Sequence, residues 1–433
     1  FQQVVWGSYL SNVYLESHPL ACSANCINMG LPGALEHDQS DLEHEHSRWA
    51  GEMNPTTRAV MRCSQRPLAT GAAMPRAHNF GAGPAVLPIE VVEECKKHLA
   101  DLEGSGLGLM ETSHRSETFQ SVIDEATSRL RDLLSIPQDY SVLLLQGGAS
   151  LQFHMVPLNL LAKGEQADVI VTGKWSQNTL TEMNKIRRGN SIWDGAEGGF
   201  NRIPSPAEYK ASGDSIYVHY TSNNTIYGTQ FRQAPDCDGR PLVVDASSDI
   251  CGVPLDVSAH EVIYAGAQKN LGPSGVTVCI LSPWAIAKAN PNLPSMLDYK
   301  TQKEKGSMFN TPNTYGIFVL REVLRWIDNN GGVEAAHKRN KDKADMIYSA
   351  IDSSSFWTPH AEQGSRSIMN ATFRIADESL LGRFIAEAEE LGLKGLRGHR
   401  IVGGIRASMY NGLELGSVER LVGFMRDFEN RHS

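Results

Sequence analysis

The sequence predicts an α/β protein, with a large domain on a mostly parallel sheet and a smaller α+β domain at its C-terminal end. Three observations carry this expectation. From about Phe80 onward, short apolar runs recur with helical stretches between them. Several of these runs end in glycine or small polar residues. After a Gly-rich break at 329–332, the remaining hundred or so residues alternate strand and helix patterns. The 433 residues, 41% of them hydrophobic, supply ample core, and at about 100–200 residues per domain two or three domains are expected.

Taken in chain order, residues 1–73 stand apart. The chain begins with Phe1, and "LEHDQSDLEHEHSRW" follows neither a helical nor a strand period, so this segment is read as disordered or as a non-native extension. His44 and His46 among acids read as solvated, and no metal site is expected. From Met53 the stretch is rich in arginine without acids and weakly resembles an organelle transit peptide; Met74 is an alternative start. Residues 74–92 are expected to pack with the small domain, 93–330 to form the large domain and 331–433 the small one.

In the large domain "SVLLLQGGA" is an apolar run closed by glycines and followed by the helical "SLQFHMVPLNLLA". "ADVIVTGKW" precedes the helical "SQNTLTEMNKI", and further strands are expected in "SIYVHYTS", "PLVVDAS", "EVIYAGA" and "GVTVCIL". The small domain opens with the charged amphipathic helix after the Gly-rich break. It continues through "SIMNATFRI", "LLGRFIAEAEELG", "GIRASMY" and "VERLVGFMRDFENR", and would cover the cleft. In such sheets ligands bind beyond the carboxyl ends of the strands.

Composition narrows the function. A formal net charge of −9 argues against nucleic-acid or anionic-membrane binding by the surface as a whole, so any anionic ligand must be held by a few convergent arginines. The seven cysteines, Cys22, Cys26, Cys63, Cys95, Cys237, Cys251 and Cys279, lack CxxC spacing, which argues against a disulfide framework or zinc ribbon and for a reducing compartment. No apolar run reaches the ~18–20 residues that span a bilayer. A soluble cytoplasmic protein is expected, or an organellar one if Met53 opens a transit peptide.

Chemistry concentrates around "YAGAQKNLGPSGV". Lys269 follows one strand, and Asp245 ends the apolar run "PLVVD". A lysine and a carboxylate at the ends of neighbouring strands suit a pyridoxal-phosphate enzyme: the amine anchors the cofactor covalently and the carboxylate keeps the ring nitrogen protonated. "QGGAS" at a strand-to-helix junction could cradle a phosphate. Trp175 in "TGKWS" could stack on a ring.

The motifs "HNFGAGPAVLP", "METSHRSETF", "LLQGGASLQF", "VHYTSNNTIYG", "VDASSDI", "IYAGAQKNLGPSGV", "KGSMFNTPNTYGIF" and "LRGHRIVGGIRASMYN" run in order to the end of the chain. In them the sequence resembles the phosphoserine aminotransferase family of fold-type-I pyridoxal-phosphate enzymes. The resemblance implies a seven-stranded-type sheet and a homodimer with active sites at its interface. It implies Lys269 as the Schiff-base lysine, Asp245 as partner of the pyridinium nitrogen, Trp175 as the stacking aromatic and Thr225 as donor to the cofactor's phenolic oxygen. The phosphate cup is implied to use Ala149, Ser150 and Gln268, with Asn310 and Thr311 supplied by the neighbouring subunit.

For substrates it implies Arg406 as ligand of the α-carboxylate, and His114, Arg115, His399 and Arg400 as ligands of the distal anion, converging across the dimer. The implied reaction moves an amino group between glutamate and 3-phosphohydroxypyruvate in serine biosynthesis; some members also use 4-phosphohydroxythreonine in pyridoxine synthesis. Gly81 and Ala82 stand where bacterial members often carry serines, and Ser150 where an arginine is common. A cysteine desulfurase on the same fold would need a loop cysteine that "GHRIVGGIRASMYN" lacks. An aminotransferase of other specificity, such as the alanine–glyoxylate type, is the nearer alternative.

Overall fold

A computed structural model describes residues 76–433, which form one compact unit, Arg76–Ser433. The expectations for residues 1–73, His44, His46, Met53 and Met74 lie outside the described residues.

The strands are β1 (His78–Asn79), β2 (Ser141–Leu145), β3 (Gln166–Val171), β4 (Arg188–Asp194), β5 (Ser215–Thr221), β6 (Asn223–Asn224), β7 (Thr229–Gln230), β8 (Leu242–Asp245), β9 (Val262–Gly266), β10 (Thr277–Leu281), β11 (Trp357–Pro359), β12 (Asn370–Ile375), β13 (Leu393–Lys394) and β14 (Ile405–Ser408). Five of the helices matter below: α1 (Glu117–Leu134), α2 (Gly148–Leu160), α3 (Lys174–Ile186), α4 (Thr314–Asn329) and α5 (Gly332–Asp352).

Seven strands form the main sheet in the order β2-β10-β9-β8-β5-β3-β4. The pairs β3/β4, β3/β5, β5/β8 and β8/β9 are parallel; β10 runs antiparallel to both β2 and β9. Six strands therefore share one direction, as the alternation of strand and helix predicts. Neighbouring residues on one strand serve opposite cores. Leu144, Val244, Ile263 and Val278 pack with Phe119, Leu130 and Ile317 of α1 and α4. Leu143, Val243, Val262 and Cys279 pack with Phe153, Val156 and Met183 of α2 and α3. Because both faces are covered, these strands read as continuous apolar runs.

The edge strand β4 was not among the expected strands. It pairs with β3 alone, its residues are exposed or half-buried, and "RGNSIWD" has no apolar run to mark it.

A third core joins Ile347, Ile351, Phe373, Phe384, Leu421 and Phe428 around the antiparallel sheet β11-β12-β14, and Phe80 from the start of the described chain belongs to it. The tie is made by backbone. β1 pairs in parallel with β13, Phe80 N–H donates to the Lys394 carbonyl (2.8 Å), and Ser408 N–H donates to the Phe80 carbonyl (3.2 Å). The register of the main sheet sets Asp245 beside Thr221 on one side and Tyr264 on the other, so the ends of β5, β8 and β9 line up at one edge. Cys95, Cys237, Cys251 and Cys279 are free and buried. Among the described residues no helix is long and apolar enough to cross a membrane.

Candidate active site

The ends of β2, β3, β5, β8 and β9 and the loops beyond them bring Ala149, Ser150, Trp175, Thr225, Asp245, Gln268 and Lys269 to one edge of the sheet. Asp245 is the last residue of β8 and is buried. Ser247, two residues on, donates to its Oδ1 twice, from the backbone N–H (3.0 Å) and from the hydroxyl (2.6 Å); Gly266 N–H in turn donates to Ser247 Oγ (3.0 Å). Burial pushes the carboxyl's pKa upward, and the Ser247 bonds and the Lys269 charge oppose it. The carboxylate is thus oriented through one oxygen, and Oδ2 accepts no hydrogen bond among the described residues.

Lys269 lies in the turn after β9, and its Nζ donates to Thr225 Oγ1 (2.8 Å). Burial pulls its pKa down from 10.5 to about 8, and the Asp245 and Asp249 carboxylates hold it from falling further. A half-buried lysine of lowered pKa with two carboxylates nearby is a base and nucleophile near neutral pH.

The 80–85 segment lies over this lysine. Ala85 N–H donates to the Gln268 carbonyl (2.8 Å), and a Cβ on Gly83 would stand 3.7 Å from Lys269 Cγ. Side chains at 81 and 82 therefore border the site, and in this chain they supply no hydroxyl. Gly147 opens α2 with φ +93°, where a Cβ would meet Leu151 at 2.4 Å, so only glycine makes this turn. Ala149 and Ser150 fall in the first turn of α2, whose N–H groups lack helical acceptors and favour an anion. Trp175 stands in the first turn of α3, and its buried Nε1 has no partner among the described residues.

Arg406 on β14 comes close enough to depress the pKa of Lys269. Its Nε is buried without a partner, and no carboxylate lies within ion-pair distance of it among the described residues. An unpaired, largely buried guanidinium is costly unless a ligand anion completes it. His399 is close to both Arg400 and Arg406; its pKa is lowered, first by burial and then by those two charges.

Four predicted residues are not joined to this cluster. His114 is half-buried and Arg115 exposed just before α1, and no hydrogen bond or ion pair links them to Lys269 or Arg406 among the described residues. Asn310 and Thr311 are exposed; the Thr311 carbonyl accepts from Gln146 Nε2 (3.1 Å) in the turn before α2.

Sequence reasoning missed two residues. Asp249 is buried, accepts from Ser222 Oγ (2.5 Å) and Gln230 Nε2 (3.1 Å), and burial raises its pKa to about 6. Its signal was a second acid four residues after Asp245. Tyr410, also buried, donates to the Ala82 carbonyl (3.0 Å) and accepts from Asn370 Nδ2 (3.2 Å). Nothing in "SMYNG" marks it.

Pyridoxal phosphate fits this donor set: an amine of depressed pKa, a buried carboxylate with one free oxygen, an indole N–H buried without a partner at the start of α3, and a glycine-initiated helix start. The Aminotransferase class-V family profile matches residues 77–421. A phosphoserine aminotransferase of Lysinibacillus sphaericus is 49% identical over 358 residues, covering 82% of this chain and 99% of that protein. Its counterpart from Halalkalibacterium halodurans is 48% identical, covering 83% and 100%. The solved phosphoserine aminotransferase from Bacillus circulans subsp. alkalophilus is 43% identical with TM-score 0.81, over 83% of this chain and 100% of that one. A pyridoxal-phosphate-bound structure of the Trichomonas vaginalis protein is 34% identical with TM-score 0.77, over 81% and 100%. In sequence and fold, the chain belongs to the phosphoserine aminotransferases of the class-V aminotransferase family.

Proposed function

We propose that this chain reversibly transfers an amino group between L-glutamate and 3-phosphohydroxypyruvate, giving 2-oxoglutarate and O-phospho-L-serine, with pyridoxal 5'-phosphate as cofactor. The observation that carries the reading is Lys269, its pKa lowered to about 8, in the turn after β9, the strand next to the one that ends in buried Asp245, and close to an unpaired Arg406. Lys269 would anchor the cofactor. Asp245 Oδ2 would face the ring nitrogen, Trp175 the ring plane and Thr225 the phenolic oxygen. The α2 N-terminus at Ala149 and Ser150, together with Gln268, would hold the phosphate.

Bound there, the cofactor's ring withdraws electrons from the substrate's α-carbon and makes its proton acidic. The chain does the rest. Arg406 fixes the α-carboxylate with its fork of donors. Lys269, once its amine is free, would carry the proton between the substrate's α-carbon and the cofactor carbon that bears the amino group, which a pKa near 8 permits in both directions at neutral pH. Asp245, oriented by the two Ser247 hydrogen bonds, would hold the positive charge of the ring nitrogen in place.

The distal phosphate or carboxylate would be met by His399 and Arg400, and by His114 and Arg115 of a second copy. Exposed apolar residues flank these loops, with Leu107 50% and Met110 71% exposed beside His114, Phe309 42% beside Asn310 and Ile401 50% beside Arg400. A face of that kind favours a homodimer, and we place the protein in the cytoplasm. Purified chain loaded with cofactor should produce glutamate from O-phospho-L-serine and 2-oxoglutarate, and Lys269→Ala should abolish it. Turnover retained in that variant would overturn the assignment.

A further inference from the structure

Helix α5 follows a Gly-rich break and is strongly charged, yet two of its polar residues, Asn340 and Lys343, are each only 1% exposed. Lys343 Nζ donates to three backbone carbonyls, of Met409 (3.0 Å), Tyr410 (2.9 Å) and Leu413 (3.0 Å). Burial pulls its pKa down to about 7, and the three acceptors match the protonated form, whose three N–H groups each find a carbonyl in the turn that follows β14. One turn of helix away, Asn340 Nδ2 donates to Asn411 Oδ1 (2.8 Å) and to the Gly252 carbonyl (3.0 Å). Asn411 closes the circuit: its Nδ2 donates to the Cys251 carbonyl (2.8 Å) and its backbone N–H to Asn270 Oδ1 (3.0 Å). Asn270 is the residue next to Lys269.

The 409–413 turn directly follows β14, which carries Arg406, and itself contains Tyr410. The Tyr410 carbonyl also accepts from Leu413 N–H (2.9 Å), but the Met409 and Leu413 carbonyls have no backbone donor among the described residues, and a buried carbonyl without a donor is costly. A methionine would fill the same volume without bringing a charge indoors, but it could not fix an irregular turn. No carboxylate pairs with Lys343 among the described residues, so its contacts are all with this turn.

We propose that Lys343 is a positioning residue for amino transfer: it clamps the 409–413 turn and, with the Asn340–Asn411–Asn270 chain, fixes Arg406 and Tyr410 relative to Lys269. The inference rests on the reading of the site given above. It assigns to α5 a task in substrate binding although no residue of that helix reaches the substrate.

Lys343→Met tests it on the cofactor-loaded enzyme. The Michaelis constant for O-phospho-L-serine should rise roughly tenfold with kcat changed less than about threefold, while the dissociation constant of pyridoxal phosphate, measured by equilibrium dialysis, stays within about twofold. Amide hydrogen exchange should quicken in 268–272 and 409–413 but not in β8. A lower thermal midpoint with an unchanged Michaelis constant and unchanged local exchange would overturn the proposal. Should Lys343→Met fail to fold, Asn340→Ala breaks the neighbouring tie without stranding a charge. It should raise the same constant about threefold, and no rise there would be equally fatal. A wild-type enzyme inert towards phosphoserine would instead overturn the substrate reading, and the exchange experiment would still report on the clamp.

Discussion

Lys269 should titrate as an amine of depressed basicity, and this can be read without turnover. The perturbation is pH, applied to the cofactor-free chain. With a pKa of about 8 instead of 10.5, about a quarter of Lys269 is neutral at pH 7.5, against roughly one in a thousand for an ordinary lysine, a difference of about 240-fold in reactive amine. The direction is fixed by chemistry: only the unprotonated amine attacks an acylating reagent or an aldehyde, so reactivity rises with pH and levels off above the pKa. Pulse labelling with acetic anhydride between pH 6 and 10, followed by peptide mass spectrometry, should give a midpoint near 8 for Lys269. Prior addition of pyridoxal phosphate should protect Lys269. A midpoint near 10.5 would refute the argument that burial outweighs the Asp245 and Asp249 charges.

Three further outcomes follow from the same geometry. Asp249→Asn removes a carboxylate that raises the Lys269 pKa, so the labelling midpoint should fall below 8; an upward shift would show the two groups do not interact as described. Arg115→Ala and Arg400→Ala should each raise the Michaelis constant for phosphoserine at least tenfold, with little change in the absorbance of bound cofactor, and an unchanged constant would remove them from the distal anion site. Phe373→Ala, at a fully buried position packed edge-to-face on Trp357 at 5.8 Å, should cost ~3–5 kcal/mol of stability in denaturant unfolding.

The parts of the fold legible in the sequence are those with an uninterrupted physical signal. Strands β2, β3, β5, β8, β9 and β10 are buried on both faces and announce themselves as apolar runs, and the break at 329–332 separates α4 from α5 as its glycines suggest. The strand β4 was silent because an edge strand paired on one side needs no apolar run. The two-residue strands β1 and β13 depend on partners more than 300 positions apart, which no local period records.

The site divides in the same way. Lys269 and Asp245 were readable because their chemistry is rare at the ends of adjacent strands. Lys343 and Asn340 were not, since on a charged helix they look like solvated residues, and only the path of the 409–413 turn brings acceptors to them. Tyr410 and Asp249 likewise act through what tertiary structure places beside them.

The most direct test of the whole account is the coupled assay of the cofactor-loaded enzyme, with O-phospho-L-serine and 2-oxoglutarate set against alanine and glyoxylate. The account predicts glutamate formation from the phosphoserine pair and at least a hundredfold lower kcat/KM for the other, because Arg400 and Arg115 leave an unmet anion site when the substrate lacks a distal charge. Turnover of alanine and glyoxylate without turnover of phosphoserine would contradict it.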